Sequence, residues 1–515
     1  MSGHVFITWG DLTRLACDAW LVPTDSRLVL EEPWNRFVVA PDARPAGWGS
    51  GHVRVVAGRA LARNDQRTPW LLDVGGSTHT ELQWYVDGVT EFVDAATPGL
   101  AGRDPLFGRS KRLLGIPLVG ARYGGSAERA GQLVSSLLPV LADLASWRDV
   151  DIALVLYNPA AFAGAQAARR RRRAGPPPEL GARAVEEAER LARLAADGRL
   201  VLFLGAGVSA GAGLPTWNEL LKQLAAEADI DERGLALLTR LEERDRALVI
   251  EGRLKQRGSG LGQLIARSFQ GNPWRSLTHT QLAALPVTEA ATTNYDTLFE
   301  DARRDIRRDT TVLPYELVGE DRRWLLKLHG CVTHPDDIVL TRDDYLRYNE
   351  RRAALAGILQ ALLVTRHMLF VGFSLRDENF HRIMHDVRRA LRVPGAKSRG
   401  PFGTVLLLHQ YPFLDELWRE DLHLVDLGGE RDDTKAAARR LQIFLDYVLQ
   451  RSATSVAHLL DDAYDAVLDP DERTVRDALR ALKAVMPAEG RRTPAWLRVA
   501  DFLQTVGDRA ADPQE

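Results

Sequence analysis

Short apolar runs that end in glycine or small polar residues, separated by helix-like stretches, constrain this chain more than any other feature. Before residue 169 the runs are HVFITW, AWLVPT, LLGIPLVG and DIALVLY, interleaved with stretches such as SAERAGQLVSSLLPVLADLASW. After it come RLVLFLGAG, PVTEAATTNYD, WLLKLHG, HMLFVGFS and GTVLLLHQ, again with helical segments between them. Strand-length runs alternating with helices predict α/β layers built on mainly parallel sheets. Ligands of open α/β sheets lie beyond the carboxyl ends of the strands, so the loops closing these runs are where chemistry is expected.

With 515 residues the chain exceeds one ordinary core. Its sharpest compositional break is ARRRRRAGPPPELGARA, where Arg169 to Arg173 precede Pro176, Pro177 and Pro178. Prolines of this kind favour extended backbone without a packed core. The expected organisation is an α/β domain over 1–168, an Arg/Pro-rich linker over 169–184, a second α/β domain over 185–450 and a helical segment over 451–515.

A net charge of −2 supplies no global drive toward nucleic acid or anionic lipid, and the arginine run reads as a solvated face or a helix end. No apolar run approaches the ~18 residues needed to span a bilayer. The opening MSGHVFITWGD lacks a basic region followed by an apolar one, so a cytoplasmic location is expected. Only Cys17 and Cys331 are present, which leaves nothing from which to build a disulfide framework or a Cys-x-x-Cys zinc site. The spacing of His381 and His385 in HRIMH suits a metal, but no glutamate base or third ligand accompanies it, and no metal is expected.

RLVLFLGAGVSAGAGLPTW (199–217) carries two frames at once. From Gly207 it reads G-x-S-x-G, a hydrolase nucleophile, with Asp296 and His329 following in the order Ser, Asp, His. From Gly205 it reads G-x-G after an apolar run, a phosphate-holding turn. A nucleophile elbow turns sharply at its strand end, whereas here Gly205 and Ala206 intervene and Pro215 delays the helix. A dinucleotide fold should return quickly to a strand ending in an acid, yet a long helical region follows. No Lys-Ser or Lys-Thr closes a P-loop.

Later loops add to the turn. ATTNYDTLFEDA sets Thr293, Asn294 and Asp296 at one strand end, LLKLHG sets His329 before Gly330 at another, and LFVGFSLRDENF sets Gly372, Ser374 and Asp377 at a third. An amide, an imidazole, a hydroxyl and carboxylates thus gather beside a glycine turn. The region from about Leu191 to Gln450 resembles the sirtuin family. The matching pieces are Gly205-Ala206-Gly207-Val208-Ser209 with Gly213-Leu214-Pro215, Thr293-Asn294-Tyr295-Asp296, His329-Gly330 and Gly372-Phe373-Ser374-Leu375.

The resemblance implies a Rossmann-like parallel sheet and NAD as substrate, with the glycine turn and helix N-terminus holding the pyrophosphate. It implies that Asn294 orients the nicotinamide ribose and a water, and that His329 is the general base near the ribose hydroxyls. Asp296 and Ser209 would line the nicotinamide side, with Gly205, Ala206, Gly207, Pro215, Thr293, Gly372 and Ser374 completing the NAD site. Ser209 also fits a helix cap, and Tyr295 and Trp217 fit core or wall.

Deacylating sirtuins carry a four-cysteine zinc ribbon that this chain cannot form, and Thr216-Trp217-Asn218 stands where their motif continues Asp-Phe-Arg. The closer resemblance is to bacterial sirtuin-like NADases of antiphage defence, which implies NAD cleavage to nicotinamide and ADP-ribose, activated by an infection cue, a phage-derived trigger or a co-encoded partner, in a homo-oligomer. Deacylation, ADP-ribosyl transfer, a non-catalytic NAD or ADP-ribose sensor, and the serine hydrolase are the alternatives.

FITWGDLTRLACDAWLVPTD (6–25) resembles the opening of macrodomains, and GIPLVGARYGGSAERAG their phosphate loop, which implies a macro-like α/β domain over 1–168. Pro23-Thr24-Asp25 replaces the family's asparagine pair, while Asp11 and Asp18 are left as candidates to meet an adenine or ribose. Nucleotide sensing and scaffolding are both open for this domain.

Overall fold

Both groups of apolar runs form sheets in a computed structural model, which describes residues 2–50, 52–75, 81–120, 127–172, 175–319, 323–391, 400–409, 411–429 and 433–508. The chain divides into two compact units, one comprising Met1–Glu179 with Leu449–Glu515 and the other Leu180–Val448.

The first unit contains β1 (Val5–Trp9), β2 (Ala19–Thr24), β3 (Val55–Ala57), β4 (Thr68–Asp73), β5 (Leu113–Pro117) and β6 (Asp151–Leu156), in the spatial order β1-β6-β5-β2-β4-β3. All neighbours pair in parallel except edge strand β3, which runs antiparallel to β4. All six residues of β6 are buried, as expected of a strand covered on both faces.

The arginine run does not open a linker at Arg169. Arg169, Arg170 and Arg171 form the last turn of the helix Pro159–Arg171, where positive charge suits the exposed carbonyls. Arg170 Nη1 donates to the Ala453 carbonyl at 3.4 Å and Arg171 Nη1 to that of Ala466 at 3.0 Å. The segment after residue 450 accordingly folds with the first unit. Tyr464 fills a notch left by two glycines: a Cβ on Gly164 would stand 2.6 Å from its ring, and one on Gly131 2.9 Å from its Cα. Sequence periodicity showed helices there, but nothing in it said which core they join.

The second unit contains β7 (Leu200–Leu204), β8 (Glu289–Thr292), β9 (Thr311–Leu313), β10 (Trp324–Lys327), β11 (His367–Val371), β12 (Gly403–Leu407) and β13 (Leu422–Asp426). Their order is β9-β10-β8-β7-β11-β12-β13, and every pairing is parallel. The runs predicted a mainly parallel sheet, and this is the Rossmann-like one that the sirtuin resemblance implied. Central strand β7 is buried at all five positions. On one face, Val201, Phe203, Leu326 and Phe370 pack with Leu359 and Ile383 from the helices Tyr348–Thr365 and Glu378–Leu391.

Successive strands leave β7 on opposite sides, β8 to one and β11 to the other, so the topological switch point lies at the carboxyl end of β7. Between β7 and β8 the chain builds a helical group, including Trp217–Glu227, Glu243–Gln256 and Leu261–Phe269, with its own apolar core around Leu220, Leu224, Ile250 and Ile265. That excursion is why a dinucleotide-type quick return to a second strand is absent after the glycine turn.

Candidate active site

The loops that close β7, β8, β10 and β11 meet over the switch point. The β7 turn is pressed backbone to backbone on the β11 loop: Gly205 N donates to the Val371 carbonyl at 2.9 Å and Gly207 N to that of Gly372 at 3.0 Å. A Cβ on Gly205 would stand 2.4 Å from the Gly372 carbonyl oxygen, and Gly372 itself lies at φ +65° with its Cβ position 2.5 Å from Val208 N. Both glycines are therefore required by close approach, and Gly372 also by its left-handed backbone. Gly372→Ala should lower stability by about 1–3 kcal/mol, read as a fall in the thermal midpoint; an unchanged midpoint would show that the two loops can part.

Asn294, beyond β8, crosses to the glycine turn. Its Nδ2 donates to the Gly205 carbonyl at 3.1 Å and to Ser209 Oγ at 3.2 Å, and its backbone N–H donates to Thr292 Oγ1 at 2.9 Å. Its Oδ1 is buried without a hydrogen-bond partner. Ser209 lies in the single helical turn Gly207–Ala210 and donates its hydroxyl to Asp296 Oδ2 at 2.8 Å. Asp296 Oδ1 accepts from Leu298 N at 3.0 Å. Below it, Lys327 donates to the Asp296 carbonyl and pairs with Glu300 at 2.9 Å, with both side chains buried. Burial pushes the Glu300 carboxyl above its usual range, while the adjacent Lys327 charge pulls it back.

Of the sequence-chosen residues, hydrogen bonds join Gly205, Gly207, Ser209, Asn294, Asp296 and Gly372 into one network. Thr293 N reaches the Leu204 carbonyl at 3.3 Å, and Ala206 is exposed at the start of the turn. Pro215 and exposed Ser374 lie outside that network, Pro215 one residue before the capping box of Thr216 with Glu219. Tyr295 is core, its hydroxyl bonded to the Val339 carbonyl at 2.9 Å, and Trp217 packs against the same cluster.

His329, beyond β10, is almost fully enclosed, and its Nε2 has no hydrogen-bond partner. Asp377 Oδ2, beyond β11, stands 3.5 Å away, and the rings of Tyr345 and Tyr348 wall the imidazole at 5.5 and 6.0 Å. Burial lowers the His329 pKa below the ordinary histidine value, opposed by Asp377. The ring is neutral near pH 7, the state a general base needs.

A serine-hydrolase arrangement does not form. The imidazole near Ser209 is His279, not His329, with Nε2 at 3.4 Å from Ser209 Oγ. Its Nδ1 accepts the Ser276 backbone N–H at 3.2 Å, so in the neutral ring Nε2 carries the proton and cannot take one from serine. Burial holds His279 at a pKa of about 4, which keeps it neutral. The carboxylate meets the serine instead of orienting the histidine, the reverse of a catalytic triad.

Sequence alone marks Asp377 only as a strand-end residue and does not single out His279, Lys327 or Glu300. Lys327 had a signal, a lone charge within LLKLHG, and Glu300 one within TLFEDA. His279 sits in an unremarkable helical stretch. His381 of HRIMH is engaged with the Leu375 carbonyl at 2.6 Å. Among the described residues no group of three or more His, Cys, Asp or Glu side chains is placed to hold a metal ion, and no helix is long and apolar enough to cross a membrane.

In the first unit, Asp11 caps a turn by accepting from Thr13 N at 2.8 Å. Asp18 is buried with both oxygens bonded to backbone, to Leu106 N and Leu113 N at 2.7 Å each. Asp18 thus has no oxygen left for a ligand. Residues 121–126 of the expected phosphate loop lie outside the described residues.

Residues 288–421 match the SIR2-like domain. The chain is 31% identical over 265 residues to NAD(+) hydrolase ThsA of Enterococcus faecium, covering 50% of this chain and 52% of that protein. It is 30% identical over 212 residues to a protein of the same name from Acinetobacter baumannii, covering 39% and 41%. It is 24% identical over 213 residues to defense-associated sirtuin 2 of Bacillus subtilis, covering 40% and 21%. The chain spans about half the length, or less, of these curated relatives.

Proposed function

We propose, from the match of residues 288–421 to the SIR2-like domain, that this chain is an NAD glycohydrolase releasing nicotinamide and ADP-ribose. The observation that carries the reading is a pair of buried polar atoms, Asn294 Oδ1 and His329 Nε2, left without partners on loops that meet over the switch-point glycine turn. A buried polar atom without a partner is costly, and a substrate hydroxyl or water is the partner such atoms fit.

In this reading the pyrophosphate lies against the Gly205–Ser209 turn, at its exposed residues Ala206 and Gly207. The bond from ribose C1′ to the nicotinamide nitrogen breaks, with its electron pair leaving on nicotinamide. A water oxygen bonds to C1′, and the proton it releases passes to His329. Asn294 orients the water and the ribose, and the nearby Asp296 carboxylate favours the positive charge developing on the sugar. Because His329 is needed neutral and burial lowers its pKa, activity persists to a pH below the ordinary histidine range and falls as His329 protonates.

The names NAD(+) hydrolase ThsA and defense-associated sirtuin 2, carried by the relatives, support an effector of antiphage defence. A cytoplasmic location, a homo-oligomer and an infection cue or co-encoded trigger belong to the same reading. The mixed α/β sheet of the first unit supports a macro-like domain, which would suit a sensor for an ADP-ribose-type nucleotide.

The test is NAD consumption by the purified chain with products resolved. Wild type should yield nicotinamide and ADP-ribose, and Asn294→Ala should lower turnover by about 10²-fold. Full turnover by Asn294→Ala would overturn the site. Nicotinamide release only with an acyl-lysine peptide would mean deacylation, and NAD bound but unchanged would mean a silent sensor.

A further inference from the structure

We infer that Asp377 is the positioning carboxylate for His329, holding the imidazole at the carboxyl end of the sheet and balancing the charge it gains with a proton. The inference rests on the NAD-hydrolysis reading for its purpose, but not for its geometry. In the sheet, β10 and β11 are separated by β8 and β7, roughly 14 Å at the usual strand spacing. His329 follows β10 and Asp377 follows β11, yet Nε2 and Oδ2 stand 3.5 Å apart. The pair therefore spans the carboxyl ends of the two intervening strands, β8 and β7.

Asp377 is fixed on both oxygens. Oδ1 accepts from Phe380 N at 2.9 Å in the first turn of the helix Glu378–Leu391, and Oδ2 accepts the Tyr345 hydroxyl at 2.8 Å. The Arg244 guanidinium lies 4.3 Å from the centre of the Tyr345 ring, holding that ring in place. At 3.5 Å the histidine contact is longer than a hydrogen bond, so it is electrostatic in this state and has room to shorten when the imidazole becomes a donor.

The charged groups around His329 are Asp377, Arg352 and Arg244, and the titratable ones Tyr345 and Tyr348. Arg352 pairs with Asp337 at 2.7 Å, and Arg244 pairs with Glu378. Each cation thus has its own carboxylate. Asp377 has no cation opposite it among the described residues other than His329, and its charge is the one that answers the proton. The cap to Phe380 N would be served equally by asparagine, and the Tyr345 contact by its amide donating to the phenol oxygen. Only the histidine requires the negative charge.

The experiment uses the full chain labelled at histidine Cε1, with the His329 resonance assigned by its loss in His329→Gln. Asp377→Asn keeps an oxygen for Phe380 N and removes the charge. The His329 titration midpoint should fall by about one pH unit, and the acid limb of kcat/KM should move down with it, at about tenfold lower plateau activity. Tyr345→Phe, which frees Oδ2, should move the midpoint up, and it serves if Asp377→Asn does not fold. A midpoint that stays where it is in the folded variant, or an imidazole that titrates in neither protein, overturns the inference. A shifted midpoint in a chain that does not cleave NAD upholds the pair and overturns the NADase reading instead.

Discussion

His329→Gln should lower kcat/KM for NAD by about 10³-fold while leaving the folded chain intact. Glutamine occupies a similar volume, so the enclosure by Tyr345 and Tyr348 survives, but it cannot accept a proton near neutral pH. Since the His329 side chain makes no hydrogen bond among the described residues, its Nε2 being unpartnered, the fold loses little when it is replaced. Steady-state kinetics beside a thermal melt separate the two effects. Activity within tenfold of wild type, with an unchanged melt, would remove His329 from the chemistry. A melt that falls as steeply as the activity would make it a structural residue.

Lys327→Met should destabilise the second unit by about 3–5 kcal/mol, because it leaves the buried Glu300 carboxylate without its partner. The apolar stem is retained, so the loss reports the charge. The variant also loses the donor to the Asp296 carbonyl beneath the Asn294 turn. Burial already raises the Glu300 carboxyl, and removing Lys327 raises it further. A carboxyl raised in the folded state holds its proton there while the unfolded chain gives it up. The unfolded value cancels between the two proteins, so the deficit should be smallest below the folded wild-type value of Glu300 and grow as pH rises from there to the variant's still higher one. Denaturant unfolding at several pH values measures it. A deficit independent of pH would mean that Glu300 is neutral in the wild-type fold, and Lys327→Met together with Glu300→Gln should recover most of the loss.

Much of the second unit was legible because its signals are local. A run such as LVLFL, followed at once by Gly-Ala-Gly, can be little else than a buried strand ending in a tight turn. The same holds for the strands before Asn294, His329 and Gly372; the Asn294 and Gly372 loops meet at the glycine turn, and the His329 loop joins the Asn294 loop through Val332 N and the Tyr295 carbonyl. Ser374 and Pro215 were chosen with equal reason and lie outside the hydrogen-bonded network, since a loop's position in the sequence leaves the direction of each side chain open. The arginine run misled for a similar reason. Consecutive cations before three prolines read as linker, but three of them form the last turn of a helix, and two, Arg170 and Arg171, reach carbonyls nearly 300 residues further along, at separations of 283 and 295.

The sequence by itself determined nine of the thirteen strands of the two large sheets, missing Val55–Ala57, Thr68–Asp73, Thr311–Leu313 and Leu422–Asp426, together with the glycine turns and the residues offered at those strand ends, because a continuous apolar run and the backbone demands of a tight turn act over a few neighbours. Only the tertiary structure decided that His279 rather than His329 stands beside Ser209, that Lys327 and Glu300 lie paired beneath Asp296, and that Asp377 reaches His329. Those contacts follow from the order β10-β8-β7-β11, which is settled by how strands and helices pack over the whole unit. Side chains tens to hundreds of residues apart become neighbours by that packing, and no local pattern records it.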